Sequence, residues 1–320
     1  MAFADFRAER ASCRTTHDNP PHRLYARRMA LKPDIALEAL TPVILTAFPE
    51  LAGSRFSLLN EGWDSAAVDV DDALIFKFPR HARAEEALIR ESRLLAAVAP
   101  AVTMTLPRTT LHEGERLFSR HAKLKGEHLV AADYDRLPLA ARDRLARDMA
   151  RFFAELHRLD HGEMRAAGAL AIGPWHDAST IERDIAAVLP TRLQDFAERT
   201  LGAWAALPPD PLDETFGYFD GHGWNMAFDH ARHRLNGLFD FGDSGFGAVH
   251  REFVYPGFVA RDLAWRIADA YEPLSGRCLD RNRIETLTAV LRLDELAGAA
   301  GDPAMLPAIT AMLERWAAGL

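Results

Sequence analysis

Asp220, Asn225 and Asp240 are the residues of this sequence whose types and spacing point most directly to chemistry. They lie in Gly217-Tyr218-Phe219-Asp220-Gly221-His222-Gly223-Trp224-Asn225 and in Phe239-Asp240-Phe241-Gly242-Asp243. Between them, short apolar runs at 226–228 and 235–239 flank the polar stretch His230-Ala231-Arg232-His233, the pattern of a β-hairpin. The midpoint of 225 and 240 falls inside the turn, so antiparallel pairing is expected to set Asn225 opposite Asp240. An amide oxygen beside a carboxylate makes a hard-oxygen site suited to Mg²⁺. Asp220 precedes the hairpin in a glycine-bearing loop and stays free to face whatever the metal holds. Asp, Asn and Gly are each ordinary turn residues. The order of the pieces and the hairpin between them carry the signal.

A second constellation stands upstream. Lys77 sits in Leu74-Ile75-Phe76-Lys77-Phe78. Strand alternation puts Phe76 and Phe78 on one face, Ile75 and Lys77 on the other. Residues 82–98 read as a helix. On a wheel of about 100° per residue, Glu91 falls within the apolar stripe, between Leu95 and Val98. A carboxylate on a buried face is costly unless paired, and Lys77 is the cation at hand. Glu85 and Glu86 fall elsewhere and read as solvated charges.

The elements that must position these groups follow the same order. A helix is expected over 35–48, with Pro42 as a point where it splits and Pro49 as its stop. Strands are expected at 56–60, 66–70 and 73–78, with Asp71-Asp72 as a tight turn. The link Glu61-Gly62-Trp63-Asp64-Ser65 is polar and carries one Gly; on its residues alone it reads as a plain hairpin turn, and the alternative is a loop whose backbone N–H groups, at Asp64 and Ser65 among others, cover a phosphate. A hairpin at 109–112 and 116–121 runs into Ala122-Lys123-Leu124-Lys125-Gly126-Glu127, a change of character that suits a hinge. Backbone at 119–122, Ser119 and His121 included, either reads an adenine edge or simply marks a strand leaving the sheet. Helices follow at 141–159, 181–188, 193–207, 258–271, 282–296 and 307–316. Strands early and helices late, with a hairpin inset, give an α+β chain of two lobes.

Composition sets the frame. The chain has 320 residues, 48% hydrophobic and 26% charged, enough for two sizeable cores. The formal net charge of −8 argues against nucleic acid as a partner and suits a cationic small substrate. No apolar run approaches the ~18 residues of a membrane span. Cys13 and Cys278 are the only cysteines, so neither a disulfide framework nor a zinc pattern is present and the cytoplasm is the expected compartment. The first 28 residues hold six Arg and no periodic apolar face. They read as a disordered or extended arm, with Met29 as an alternative start.

Other catalytic patterns fail on inspection. No Gly-x-x-x-x-Gly-Lys-Ser/Thr occurs. Gly242, Gly245 and Gly247 have the wrong spacing for a dinucleotide loop, and Gly242-Asp243-Ser244-Gly245-Phe246 has Phe where a nucleophile elbow needs Gly. His157 and His161 are spaced like zinc ligands, but Arg158 stands where a zinc protease needs Glu. His222 reads as a hydrogen-bonder within its loop.

Asp220, then Asn225, then Asp240-Phe241-Gly242 is the catalytic-loop and metal-loop layout of protein-kinase-like phosphotransferases. The chain resembles the aminoglycoside phosphotransferase family of small-molecule kinases. The matching pieces are Gly62-Trp63-Asp64-Ser65, Phe76-Lys77-Phe78-Pro79-Arg80, Arg90-Glu91-Ser92-Arg93-Leu94-Leu95, Gly126-Glu127, Phe153-Ala154-Glu155-Leu156-His157, the loop from Asp220 to Asn225, and Phe239-Asp240-Phe241-Gly242-Asp243. They cover roughly residues 50 to 275 in the family's order. The resemblance implies a protein-kinase-like fold, with a nucleotide lobe over 29–121 and a helical catalytic lobe over 122–320. It implies Asp220 as catalytic base, Asn225 and Asp240 on Mg²⁺, and Lys77 with Glu91 on ATP. The acceptor would be a hydroxyl of a small molecule, an aminoglycoside or similar cationic alcohol. The chain departs from the family at Tyr218-Phe219, where His-Gly is usual, and at Gly247-Ala248-Val249, where Gly-Asp-Pro is frequent. The first departure gives the rival reading, a nucleotide-binding protein without transfer activity.

Overall fold

A computed structural model describes residues 35–59 and 64–319. The expectations for the arm at 1–28, for Met29 and for Glu61-Gly62-Trp63 lie outside the described residues.

Helix α1 (Leu37–Ala47) opens the described chain and runs unbroken through Pro42. The ring removes one backbone donor, yet the turns on either side hold, with Thr46 Oγ1 donating to the Pro42 carbonyl at 2.9 Å. Strands β1 (Phe56–Leu59), β2 (Ser65–Val70) and β3 (Leu74–Pro79) follow as an antiparallel meander. The β2–β3 turn is made by Asp71 and Asp72 at φ 56° and 55°. Two consecutive positive φ values are the mark of a type I′ hairpin turn, and Asp tolerates them better than most residues.

Helix α2 (Ala82–Val98) comes next, its first turn capped by His81 Nδ1, which accepts from Ala84 N. Strands β4 (Thr110–His112) and β5 (Phe118–Ala122) complete a five-stranded sheet of order β1-β2-β3-β5-β4. Phe76, Phe78, Val68 and Phe118 pack against Leu40 and Ile44 of α1, all of them buried. Burying each such side chain contributes roughly 1.5–3 kcal/mol. The opposite face of β3, with Ile75 and Lys77, is left for α2 and the cleft.

Beyond Ala122 the chain is mainly helical. It forms α3 (Ala131–Arg136), α4 (Leu139–Leu156), α5 (His161–Ala166), α6 (Ala178–Ile185) and α7 (Gln194–Ala205). Four short strands, β6 (Glu214–Gly217), β7 (Met226–Asp229), β8 (Arg234–Leu238) and β9 (Gly245–Ala248), pair as β6–β9 and β7–β8. Then come α8 (Val249–Glu252), α9 (Arg261–Ser275), α10 (Arg281–Ala299) and α11 (Leu306–Ala318). The core of this half is the stripe Leu145, Met149, Phe152, Phe153 and Leu156 of α4, which packs against Ile267 and Tyr271 of α9. A second cluster joins α6, α7, α10 and α11 around Leu293 and Leu313.

The β6–β9 ribbon was not expected. Each strand has four residues and glycine at its end or within it, which hides the alternation that marks a strand. Among the described residues no helix is long and apolar enough to cross a membrane.

Candidate active site

Strand β3 and helix α2 bring Lys77 and Glu91 together as their burial pattern required. Lys77 Nζ lies 2.8 Å from Glu91 Oε2 and 3.1 Å from Oε1. The same ammonium reaches across the cleft to Asp240 Oδ1 at 3.0 Å. Burial disfavours the charged lysine, but Asp240 and Glu91 together outweigh it and raise its pKa above the usual lysine value. Lys77 in turn is the main reason why the Asp240 carboxyl is held below the usual carboxylate range, against the burial that opposes it. Glu91 Oε1 also accepts from the backbone N–H of Phe241 at 3.0 Å. One buried carboxylate therefore fixes both the lysine and the Asp-Phe-Gly segment.

The hairpin forms, with its register one residue away from the expected one. Met226 pairs with Leu238 and Ala227 with Gly237, but a bulge after Ala227 shifts the remaining pairs to Phe228–Leu235 and Asp229–Arg234. The Phe239 N–H donates to the Asn225 carbonyl at 3.1 Å, so Phe239, not Asp240, stands opposite Asn225. The turn closes on the pair Asp229–Arg234, earlier than the count assumed, and the bulge, which sets two residues of β8 against one of β7, recovers only part of the offset. Asp240 then leaves the strand in a left-handed conformation, φ 63°.

Asp220 is held from two sides. Asn225 Nδ2 donates to its Oδ2 at 2.6 Å and to its backbone carbonyl at 3.1 Å. This fixes the amide orientation, since an oxygen in that place could not donate, and leaves Asn225 Oδ1 available to a cation. His222 Nε2 stands 3.1 Å from Asp220 Oδ1. Burial works against the charged imidazole, yet Asp220 and then Asp240 outweigh it, and the His222 pKa is raised.

The loop is braced by residues that sequence reasoning passed over. Glu252, at the end of α8 and fully buried, accepts from the backbone N–H groups of Tyr218 at 2.9 Å and Phe219 at 2.8 Å. Its Oε2 also lies 3.3 Å from His157 Nε2, while His157 Nδ1 meets the Tyr271 hydroxyl at 2.7 Å. The sole sequence trace of Glu252 is an acid placed directly before the apolar pair Phe253-Val254. Tyr218, fully buried, donates its hydroxyl to the Phe239 carbonyl and packs against Phe241 at 4.8 Å between ring centroids. Tyr218 thus ties the loop of Asp220 to the segment of Asp240, and Phe219 is held by Glu252.

The remaining predicted residues divide. The Asp64 carbonyl accepts from Arg80 N at 2.8 Å, and Ser65 is buried within β2 opposite Pro79, so both are engaged with the end of β3. Ser119 lies opposite Lys77, and His121 opposite Ile75, on the face of the sheet that carries Lys77. Their backbone groups are not the ones exposed to a ligand. The Lys123 N–H donates to the Ala73 carbonyl at 2.8 Å. Backbone groups alternate sides along an antiparallel strand, so those of Ser119 and His121 also turn toward β3. Ala122 carries the outward-facing pair, beyond the last β4 partner, Arg120. Ser119 and His121 offer the cleft their side chains instead. Ser119 Oγ is buried with no hydrogen-bond partner, and burial lowers the His121 pKa.

A metal site built on Asn225 and Asp240 fits Mg²⁺, which takes one or two protein oxygens and completes its shell with water and phosphate. Asn225 offers Oδ1, and Asp240 offers Oδ2 beside the oxygen engaged by Lys77. Among the described residues no group of three His, Cys, Asp or Glu converges as an all-protein cage.

Residues 55–296 match the model of the phosphotransferase enzyme family. The chain belongs to that family. Solved structures with the same fold include a point mutant of an aminoglycoside 2'-phosphotransferase in complex with GDP. It is 19% identical with TM-score 0.75, over 89% of this chain and 98% of the other. A related GDP and kanamycin complex gives 20%, 0.70, 88% and 98%. A macrolide 2'-phosphotransferase from Brachybacterium faecium, as apoenzyme, gives 18%, 0.61, 85% and 97%. No curated protein matches this chain significantly. The phosphotransferase fold is thus the two-lobed, kinase-like α+β architecture, with the sheet in the N-terminal part and helices in the C-terminal part.

Proposed function

We propose that this phosphotransferase moves the terminal phosphoryl group of ATP, or of another nucleoside triphosphate, to a hydroxyl of a small molecule. The observation that carries the reading is the span of Lys77, held at 2.8 Å by Glu91 and at 3.0 Å by Asp240. It joins the sheet of one lobe to the acidic loop pair of the other. Such a lysine is positioned for nucleotide phosphates in kinase-like enzymes. Solved proteins of this fold carry GDP, ATP or ADP. Asn225 and Asp240 would hold Mg²⁺, which when bound neutralises phosphate charge.

Asp220 accepts the proton of the acceptor hydroxyl as that oxygen attacks. Glu91 keeps Lys77 and Phe241 in place, and Glu252 keeps the loop of Asp220 in place. Positioning and electrostatics supply the rate enhancement. The nucleotide lobe over 29–121, the catalytic lobe over 122–320, side-chain contacts from Ser119 and His121, phosphate cover from Asp64 and Ser65, and a cytoplasmic location belong to this reading. The rival, a binding protein without transfer activity, rested on Tyr218-Phe219. The bracing of both backbone amides by Glu252, and of the Tyr218 hydroxyl by the Phe239 carbonyl, supports the enzyme instead.

The test separates the acids. Asp240→Ala is expected to weaken Mg·ATP binding by at least about tenfold and to impair turnover with it. Asp220→Asn is expected to keep Mg·ATP affinity while turnover falls about 100- to 10,000-fold, the range for loss of a general base. Calorimetry beside phosphate-transfer rates, screened on aminoglycosides, macrolides and choline-like and amino-acid alcohols, reads both. A parent that binds neither Mg·ATP nor Mg·GTP would sink the reading.

A further inference from the structure

Among the described residues His222 is the histidine that touches Asp220, and the geometry around it is specific. Its ring lies parallel to Phe258, interplanar angle 2° at 6.3 Å between centroids, and edge-on to Trp224 at 5.5 Å and 78°. Its backbone is knotted into the same turn: His222 N donates to the Asp220 carbonyl at 2.8 Å, and Asn225 N donates to the His222 carbonyl at 3.1 Å. Nδ1 is buried and has no hydrogen-bond partner. The polar contact of the imidazole is therefore the one at Nε2, 3.1 Å from Asp220 Oδ1. The other Asp220 oxygen already accepts from Asn225 Nδ2 at 2.6 Å.

A carboxylate oxygen has two acceptor directions. With Asn225 Nδ2 donating to one oxygen and the imidazole Nε2 3.1 Å from the other, the Asp220 carboxyl cannot turn about its last side-chain bond without losing a contact. Each oxygen keeps one lone pair, now aimed in a fixed direction. With Asn225 alone, the group would pivot on the Oδ2 contact.

We infer that His222 is a positioning residue for phosphoryl transfer: its Nε2–H pins Oδ1 of Asp220 and so aims the base at the acceptor hydroxyl. The inference rests on Asp220 being the base, as proposed above. No proton passes to His222. The hydroxyl proton goes to Asp220 as the new O–P bond forms and the bond to the nucleoside diphosphate breaks.

The experiment uses the full chain with Mg·ATP and Mg·GTP, with water as acceptor where no alcohol substrate has been found. His222→Phe keeps a ring of similar shape and removes the N–H; His222→Gln restores an N–H donor. His222→Phe is expected to lower kcat about 10- to 100-fold, the scale of a misaligned catalytic group, with KM for nucleotide within about twofold of the parent. His222→Gln is expected to recover most of that loss. A His222→Phe variant with parental kcat, a Gln variant as slow as Phe, or a KM that rises as kcat falls would overturn the inference while Asp220-dependent turnover stands. If parental turnover does not depend on Asp220, the base reading falls and takes the inference with it. A second readout needs no turnover. The ¹⁵N resonances of the His222 ring should report a protonated Nε2 that shifts when Asp220 becomes Asn; an unmoved resonance shows that the contact is not made.

Discussion

Phe219 holds a backbone conformation that favours glycine, φ 52°, immediately before the proposed base. Glycine adopts such a φ at no steric cost, and the structure shows what accommodates a phenyl ring there instead. The ring is 2% exposed, and a Cβ on Gly217 or Gly247 would come within 2.9 or 3.0 Å of it. Two neighbouring glycines make room for one aromatic ring. Phe219→Gly would relieve backbone strain of roughly 1–2 kcal/mol and remove a buried phenyl ring worth about 3–5 kcal/mol. Lost packing outweighs relieved strain. The variant is expected to melt lower, by a net ~1–4 kcal/mol, and thermal unfolding beside the parent checks it. An equal or higher melting temperature would mean that the backbone strain outweighs the packing.

Among the elements, the segment at 127–129 matters most for its size. Glu127 and Phe228 exchange backbone hydrogen bonds at 2.9 and 2.8 Å, and Leu129 N donates to the Gly223 carbonyl at 3.0 Å. The approach is so close that a Cβ on Gly223 would fall 1.8 Å from the Leu129 carbonyl oxygen. Gly223→Ala should therefore push this segment off the loop of Asp220, with a cost of order 1–3 kcal/mol. Turnover should fall while Lys77 and Glu91 keep their pairing. A Gly223→Ala enzyme with parental activity and melting temperature would show that the segment gives way freely.

Legibility in the sequence divides along the same line. Helix α2 was readable because one carboxylate interrupted a clear apolar stripe, and that interruption located the partner of Lys77. The order of Asp220, Asn225 and Asp240 was readable, and in the structure Asn225 meets Asp220 while Asp240 meets Lys77. The bulge in the β7–β8 hairpin was not, because nothing in residues 226–238 records an extra residue in one strand. Glu252 was not, because its partners are backbone amides more than thirty residues away in the chain and leave no spacing to detect.

At the scale of the whole molecule, acidity acts through buried imidazoles. Burial holds the His157 pKa below its ordinary 6.5, although Glu252 pulls the other way. The unfolded chain therefore takes up a proton below about pH 6.5 that the folded chain resists. This contribution to stability is full above that pH and is lost as pH falls through it. His222, whose pKa is raised, has the opposite slope. His157→Gln is expected to flatten the decline of melting temperature between about pH 7.5 and 5.5. Parallel curves for variant and parent would assign the acid sensitivity elsewhere.

The stitching of the chain just after the sheet also decides which part of the molecule behaves as the fixed jaw. Asn236 Nδ2 donates to the Lys125 carbonyl at 2.7 Å, and Gly126, at φ 139°, sits so close to Ala227 that a Cβ would fall 2.5 Å from its carbonyl carbon. Upstream, Lys123 and Lys125 grip Asp72 of the β2–β3 turn. The sheet thus ends in a clasp at Lys123 and Lys125, while Gly126 and Glu127 are tied to the β7–β8 hairpin that follows the loop of Asp220. Helix α2 sides with the helical half: Leu94, Leu95 and Val98 pack in its core, Glu91 holds Phe241, and beyond the helix Thr103 and Thr105 are bonded to Glu155 and Leu238. A sheet that swung would therefore draw Lys77 away from Glu91 and Asp240 together, and would leave Asp220, His222 and Asn225 in their places.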